Sequence, residues 1–468
     1  MRRHPCHPNR RTRTGEDHAG ALRRRNRTAN GGGVLLNGTG GGGPAPLTAA
    51  QRRLWVTEQF NPGSDAYLID AVIRIEPGAD PALLEAALND VAAAHDAFRT
   101  EFGWDDDGDP AQFVRDRVGL PVPRVHGPGT PAEPFDLERA PLVRFRMVCR
   151  DNTATALELV AHHIVFDGWS LGILVRDLGL AYDARKAGGR ADLSGRPGMA
   201  GFAEAEAAWL AGPEGRERVD ALAGLLRGAP GLLAVPTDRP RGAQQPDGGH
   251  AGAGLHFTLP WELAHDITEF ARERRTTLNM VGLAAFSAVL AHWSGSDDIV
   301  VGSAFAGRTS LAAERCVGCF INVVPLRLAV DTEAPFDTHL DGVREAVLRG
   351  AEYQDVPFDR LVEALNPPRS LTHNPLVQVA FGVQNTEPAT YDGGIRLTGE
   401  PAPDDDAEAR LDLTLWLEER PEGLKAIWTY RKDLFERTTV ARLNQWFFRT
   451  LRQGCLDPSA PPAAPARS

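Results

Sequence analysis

The sequence predicts a mixed α/β (α+β) protein built from two successive α/β units. Three observations carry that expectation. The chain has 468 residues, 42% apolar and 24% charged, an ordinary globular composition. At roughly 100–200 residues per domain, that is two to four domain-sized units. Segments with apolar residues at helical spacing alternate with segments of period two, the patterns of half-buried helices and strands. One long Pro/Gly-rich stretch, "AVPTDRPRGAQQPDGGHAGAG" from Ala234 to Gly254, interrupts the body and reads as the connection between the units.

The ends read differently from the body. Residues 1–45 are poor in apolar side chains and close in Gly repeats, so they cannot bury enough surface to offset the entropy of ordering them. They carry nine arginines against Glu16 and Asp17. That is +7 out of a total of −11, which leaves −18 for residues 46–468. An acidic body argues against a nucleic-acid binder. Arg10-Arg11 is not followed by an apolar stretch of the length an export signal needs. The C-terminal residues 457–468, "DPSAPPAAPARS", read as a second disordered end. There is no apolar run of about 18 residues, so no membrane span is expected.

The elements follow in order. Residues 46–233 form the first unit. "DPALLEAALNDVAAAHDAF" (80–98) is a helix opened by Asp80, with Pro81 in its first turn. "LVRFRMVC" and "ATALELVAHH" alternate as strands. "SLGILVRDLGLAYDARKAG" is a helix with Ser170 as its expected N-cap. Residues 255–456 form the second unit. "ELAHDITEFARERRTTLNMVGLAAFSAVLAHWSG" holds two helices, and "DIVVGSAF" is a buried strand. "LVQVAFGVQN", "ARLDLTLWLEE" and "GLKAIWTY" are further strands, and "TTVARLNQWFFRTLRQG" is a closing amphipathic helix.

Five cysteines are present, and Cys316 and Cys319 form a C-x-x-C. A zinc site needs about four ligands, and no second pair lies nearby in sequence, so two unpaired buried thiols are expected and no metal. An odd, low cysteine count suggests a reducing, cytoplasmic setting.

The stretch "LVAHHIVFDGWSLGILVRDL" (159–178) carries the chemistry. A strand pattern ends at His162 and His163, and a helix pattern starts near Ser170. The residues between form a strand-to-helix loop, where polar side chains stand on a rigid scaffold. Adjacent residues leaving a strand face opposite sides, so one histidine of the pair faces a cleft. Asp167 can fix the loop through hydrogen bonds or an arginine. Gly168 removes a side chain where the backbone turns or a ligand passes.

"HHIVFDGWS" resembles the HHxxxDG signature of nonribosomal peptide synthetase condensation domains. "LTAAQRRLWVTEQFNPGSDAYLI", "AHDAFRTEF", "VPTDRPR", "DIVVGSAFAGR", "VGCFINVVPLR", "YQDVPFDRLVEAL" and "RSLTHNPLVQVAF" resemble that family's other motifs, in the family's order. Ala94, Asp96 and Phe98 depart from the second motif, and "GFAEAEAAWL" keeps little more of the fourth than Phe202 and Trp209. The resemblance implies two chloramphenicol-acetyltransferase-like lobes in a V-shaped pseudo-dimer with a central tunnel. It implies that His163 faces the tunnel as base, that His162 is structural, and that Asp167 pairs with Arg308. Arg99 is expected to support the same region, and Trp169, Ser170, Asn322 and Ser303 to line the tunnel.

The implied activity joins an acyl or aminoacyl thioester to an amine or hydroxyl in natural-product biosynthesis. The implied substrate arm is phosphopantetheine, with no permanently bound cofactor. No adenylation or carrier region is legible, so a monomeric, free-standing enzyme using a separate carrier protein is expected. A coenzyme A acyltransferase of the same fold and a non-catalytic, partner-recruiting module are the rival readings. Epimerisation domains add a second-lobe motif not found here, and cyclisation domains replace the histidines.

Overall fold

The computed structural model describes residues 43–465 except 61, 65–66, 128, 130–132, 243–251, 369, 371, 385–388, 402–408 and 421–422. The first half runs β1 (Ala45–Pro46), α1 (Ala49–Phe60), β2 (Leu68–Ala79), α2 (Pro81–Ala94), β3 (Thr100–Trp104), β4 (Pro110–Val114), β5 (Arg124–Val125), β6 (Val143–Arg150), β7 (Thr153–His162), α3 (Gly168–Lys186), α4 (Met199–Ala211) and α5 (Pro213–Leu226). The second half runs β8 (Gly252–Pro260), α6 (Trp261–Glu273), α7 (Leu278–Ser294), β9 (Asp298–Phe305), β10 (Asn322–Ala329), α8 (Phe336–Glu352), α9 (Phe358–Leu365), β11 (Val379–Gln384), β12 (Ala389–Asp392), β13 (Arg396–Pro401), β14 (Leu413–Arg420), β15 (Gly423–Arg431) and α10 (Arg437–Leu456).

Local chemistry sets these elements. Asp80 caps α2 by accepting hydrogen bonds from the Ala82 and Leu83 amides, with Pro81 at the first helical position. Along β6, Val143, Phe145, Met147 and Cys149 are buried while the residues between them are not, which is the period of a half-buried strand. Residues 280–291 of α7 are all buried, as an apolar helix enclosed by other elements must be.

The strands form two six-stranded sheets, ordered β12-β13-β2-β7-β6-β5 and β10-β9-β11-β14-β15-β8, and a small sheet β1-β4-β3. Each large sheet carries its own core. One gathers Ile73, Leu88, Phe145, Leu159 and Leu174, and the other Phe286, Phe381, Leu415, Trp428 and Phe447. A third, smaller cluster joins Leu222 and Leu226 of α5 to Leu361 of α9.

Sheet order corrects the expected division of the chain. Residues 255–456 do not stay in one lobe, because β13 pairs antiparallel with β2, Leu397 opposite Ile75 and Gly399 opposite Ile73. Val317, Cys319, Ile395 and Leu397 also pack in the first core. The physical reason is an edge: β2 offers an unpaired row of backbone groups, and the β12–β13 hairpin covers it.

Both ends are corrected too. The expected N-terminal tail lies outside the described residues through residue 42, but Ala45 already pairs with Gln112 in β4. Residues 457–465 are not loose. The Trp446 indole donates to the Ala463 carbonyl at 2.7 Å. The Phe336 and Asp337 amides, at the start of α8, donate to the Ala460 and Pro458 carbonyls at 2.9 and 3.0 Å. A segment without an apolar core is ordered here because its carbonyls satisfy the open amides of a helix start. The connection Ala234–Gly254 also has a capping task. Asp238 accepts from the Glu436 amide at 2.7 Å and the Thr439 hydroxyl at 2.9 Å, at the start of α10. Its last residues, from Gly252, already belong to β8.

Candidate active site

The histidine pair sits where β7 stops and α3 begins. The His162 amide donates to the Leu142 carbonyl at 3.0 Å, on the β6 side. The His163 amide donates to the Tyr67 carbonyl at 2.7 Å, on the β2 side. The two side chains therefore leave in opposite directions. His162 is 2% exposed. Its Nδ1 accepts from the Ile164 amide at 3.1 Å, and its ring meets Phe135 edge-on, with centroids 6.5 Å apart. His163 is half-buried and keeps an accessible face.

Both imidazoles are held neutral. Burial, then the nearby Arg410 cation, lowers His162 to about 4. Burial and Arg410, with His162 and Arg53, push His163 well below the usual histidine value, and the main chain of Phe166 opposes them only in part. A neutral imidazole at pH 7 has one nitrogen able to accept a proton.

Asp167 fixes the loop. Arg308 Nη2 donates to both of its carboxylate oxygens at 2.8 Å, and both side chains are 1% exposed. Arg308 also donates to the Ala313, Cys316 and Gly318 carbonyls. Phe320 lies 4.3 Å below the guanidinium. The Phe320 amide donates to Asp167 Oδ2 at 3.2 Å.

The expected N-cap is corrected here. Asp167, not Ser170, caps α3 by accepting from the Ser170 amide at 2.9 Å. The carboxylate three residues earlier already occupies the capping position. The Ser170 hydroxyl instead donates to Asp167 at 2.8 Å and accepts from the Gly318 amide at 3.1 Å, which ties the helix start to the second half of the chain.

The remaining expected residues divide. Gly168 is exposed in the first turn of α3, and a Cβ there would meet nothing within 4 Å. The backbone does not require glycine, and open space lies beside it. Trp169 is 41% exposed, and its indole donates to the Glu314 carbonyl at 3.1 Å, so it bridges the halves.

Ser303 is 4% exposed in the interior strand β9, opposite Val324. The Asn322 amide is spent on the Gln354 and Val356 carbonyls and the Phe358 amide, so it clasps the start of α9. Arg99 hydrogen-bonds Asp96 and the Arg115 and Asp116 carbonyls, none of them in the histidine loop. Motif identity does not fix side-chain partners, and Asn322 and Arg99 spend their hydrogen bonds outside the histidine loop.

Cys316 and Cys319 are buried free thiols, each pushed up to about 12 by burial. Among the described residues no group of three or more His, Cys, Asp or Glu side chains is placed to hold a metal. No helix among them is long and apolar enough to cross a membrane.

Three contributors escaped the sequence reading: Tyr67, Arg410 and Arg53. Tyr67 accepts through its backbone, which no side-chain pattern encodes. Arg410 lies far from the histidines in sequence, and its guanidinium stacks 4.5 Å from the Tyr67 ring centroid.

A second buried cluster, beneath α3, resembles a catalytic dyad but is walled in. His95 Nε2 lies 2.9 Å from Asp177, and Arg196 forks onto the same carboxylate at 2.8 and 2.9 Å. Burial alone would raise Asp177, but the bonds from His95 and Arg196 outweigh it and hold the carboxyl at about 2. This charge network anchors α3, with both His95 and Asp177 fully buried.

Comparison with known proteins comes to the same point. A family model described as "Condensation domain" matches residues 43–465. The chain is 35% identical over 434 residues to a linear gramicidin synthase of Brevibacillus parabrevis, covering 89% of this chain and 6% of that protein. It is 35% identical over 439 residues to phosphinothricin tripeptide synthetase PhsB of Streptomyces viridochromogenes, covering 90% of this chain and 36% of that one. The chain thus spans only a small part of these relatives. Among solved structures, the X-domain from teicoplanin biosynthesis superposes with a TM-score of 0.78 at 26% identity, covering 93% of this chain and all of that one. The first condensation domain of the calcium-dependent antibiotic synthetase superposes at 0.74 with 21% identity, covering 91% and 98%, a likeness of fold.

Proposed function

Since the chain belongs to the condensation-domain family and has its mixed α/β fold, of chloramphenicol-acetyltransferase type, we propose that it catalyses condensation. It joins an acyl or aminoacyl thioester, carried on the phosphopantetheine arm of a carrier protein, to an amine or hydroxyl acceptor. The observation that carries this reading is His163: a neutral, half-buried imidazole on a loop clamped by the Asp167–Arg308 pair.

The acceptor nitrogen or oxygen attacks the thioester carbonyl. The new C–N or C–O bond forms and the C–S bond breaks. His163 takes the proton that the nucleophile loses and returns it to the departing sulfur, so the arm leaves as its thiol and His163 is neutral again. A hydroxyl needs that base more than an amine does, because a useful fraction of an α-amine is already neutral near pH 8. His162 supports the loop. Asp167 and Arg308 are positioning residues. The open space beside Gly168 supports passage of a substrate arm into a tunnel between the lobes.

The rival worth separating is a partner-recruiting module, since one structural relative is described in complex with OxyB. The intact histidine pair supports the enzymatic reading. The test supplies one acyl group on a carrier protein, on coenzyme A and on a short pantetheine mimic, with amine and alcohol acceptors, and follows products by mass spectrometry. The carrier-bound donor is expected to give the highest kcat/KM. His163→Ala is expected to lose about 10²–10⁴-fold of the rate, with its melting midpoint kept. Equal efficiency with all three donors would move the coenzyme A reading to first place. Wild-type rates in the His163 variant would remove the base.

A further inference from the structure

The segment that follows α10 lies back along that helix. Residues 460–465 run Ala-Pro-Pro-Ala-Ala-Pro. Each proline fixes its own φ at about −65°, and each residue before a proline is pushed out of the helical region. Only Ala463 escapes both constraints, so the sequence favours an extended polyproline-II strand. Such a strand makes no internal hydrogen bonds, and its carbonyls stay open.

Three side chains of α10 take up those carbonyls. Gln453 Nε2 donates to the Pro461 carbonyl at 3.2 Å, and the Trp446 indole donates to the Ala463 carbonyl at 2.7 Å. Arg449 Nη2 donates to the Ala464 carbonyl. Positions 446, 449 and 453 are three and four residues apart, so they share one face of the helix. Pro462 and Ala463 are buried. The Trp446 ring is half-buried and is backed by His292 of α7, edge-on with centroids 5.9 Å apart.

An aromatic ring flanked by donors, set against an extended proline-rich strand, is the chemistry by which grooves recognise such peptides. The donors meet main-chain carbonyls and no side chain of the strand. They therefore read backbone shape, and another proline-rich segment of the same spacing satisfies them equally.

We propose that the Trp446–Arg449–Gln453 face of α10 is a polyproline-II recognition site, that Ala460–Pro465 fills it as a built-in plug, and that a proline-rich segment of a partner protein competes for it. This goes beyond the condensation reading. No residue of the histidine loop takes part, and the readout needs no turnover.

The experiment uses the full chain and a fluorescent peptide of residues 457–465, DPSAPPAAP, followed by polarisation. A variant carrying Pro461→Gly, Pro462→Gly and Pro465→Gly loosens the plug and is expected to bind the peptide. Wild type is expected to bind it about tenfold more weakly, because the tethered plug competes at an effective concentration of the order of mM. Adding Trp446→Phe to the glycine variant keeps a ring but removes the indole N–H. It is expected to weaken binding about two- to tenfold, the range for one hydrogen bond. A peptide with glycine at its proline positions is expected to bind more weakly than the proline peptide.

A second measurement serves if the glycine variant folds poorly. With a nitroxide on the peptide at a concentration of the order of mM, the Trp446 indole N–H signal of wild type, assigned by its loss in Trp446→Phe, is expected to broaden. No binding to a folded glycine variant, equal binding to that variant and wild type, no preference over the glycine peptide, no loss with Trp446→Phe, or an unbroadened indole signal would each overturn the site.

Discussion

At the scale of single residues, the Asp167–Arg308 pair does three things at once. It neutralises two buried charges, caps α3, and holds the loop at residues 313–320 against the histidine loop. Removing one partner leaves the other charged and buried, which costs about 3–5 kcal/mol. Asp167→Ala is expected to lose that much by urea unfolding, and the double variant with Arg308→Met less than the two singles together. Full additivity would mean that the pair is not coupled.

The buried histidines make stability depend on pH. His162 and His339 are each lowered to about 4, chiefly by burial. Between the unfolded value of about 6.5 and that folded value, the unfolded chain binds the proton and the folded chain does not. Stability is therefore present above pH 6.5 and falls as pH drops toward 4, by about 1.4 kcal/mol per unit for each such group. Glu206 and Asp359, raised by burial, oppose the trend. His339→Gln is expected to flatten the fall in melting temperature over that window, and an unchanged slope would remove His339 from the account. The histidine pair was legible in the sequence because its place at a strand end fixes the opposite facings. The partners of Asn322 were not, because they lie on a segment about thirty residues on that only tertiary packing brings to it.

At the scale of elements, most strands and helices were legible from their periods. "DIVVGSAF" coincides with β9, and the two helices before it are α6 and α7. The β12–β13 hairpin was not. It is short, it follows residues of the second unit, and its pairing partner lies more than three hundred residues earlier, beyond the reach of any local pattern. Its seat on α3 is close. Tyr391 donates to Asp183 at 2.7 Å, and a Cβ on Gly179 would stand 2.2 Å from the Tyr391 ring. Gly179→Ala is expected to push that ring off α3, with a loss of about 1–3 kcal/mol, the usual range for overpacking. Hydrogen exchange at residues 389–401 should quicken while the second core stays protected. Unchanged exchange there would show that the ring is not what holds the hairpin.

At the scale of the whole molecule, two sheets with separate cores were legible from composition, length and one long connection, but their interlocking was not. Loop closure between distant segments is set by tertiary pairing that leaves no mark on either segment alone. The interlock has a consequence during synthesis. While the first half emerges from a ribosome, β2 gains β7 on one side, but its other edge waits for β13. At about 5–20 residues per second, the roughly 320 residues between them take on the order of 15–65 s. Once β7 and α3 have been made, the nascent chain presents for the rest of that interval an open β-edge beside an apolar core that still lacks Val317, Cys319, Ile395 and Leu397, the kind of surface that pairs with neighbouring chains and attracts chaperones. Chains stalled with about 380 residues outside the exit tunnel should be cut by protease within 68–79 more readily than chains stalled past 410. Equal cutting would mean that the edge is shielded before its partner strand arrives.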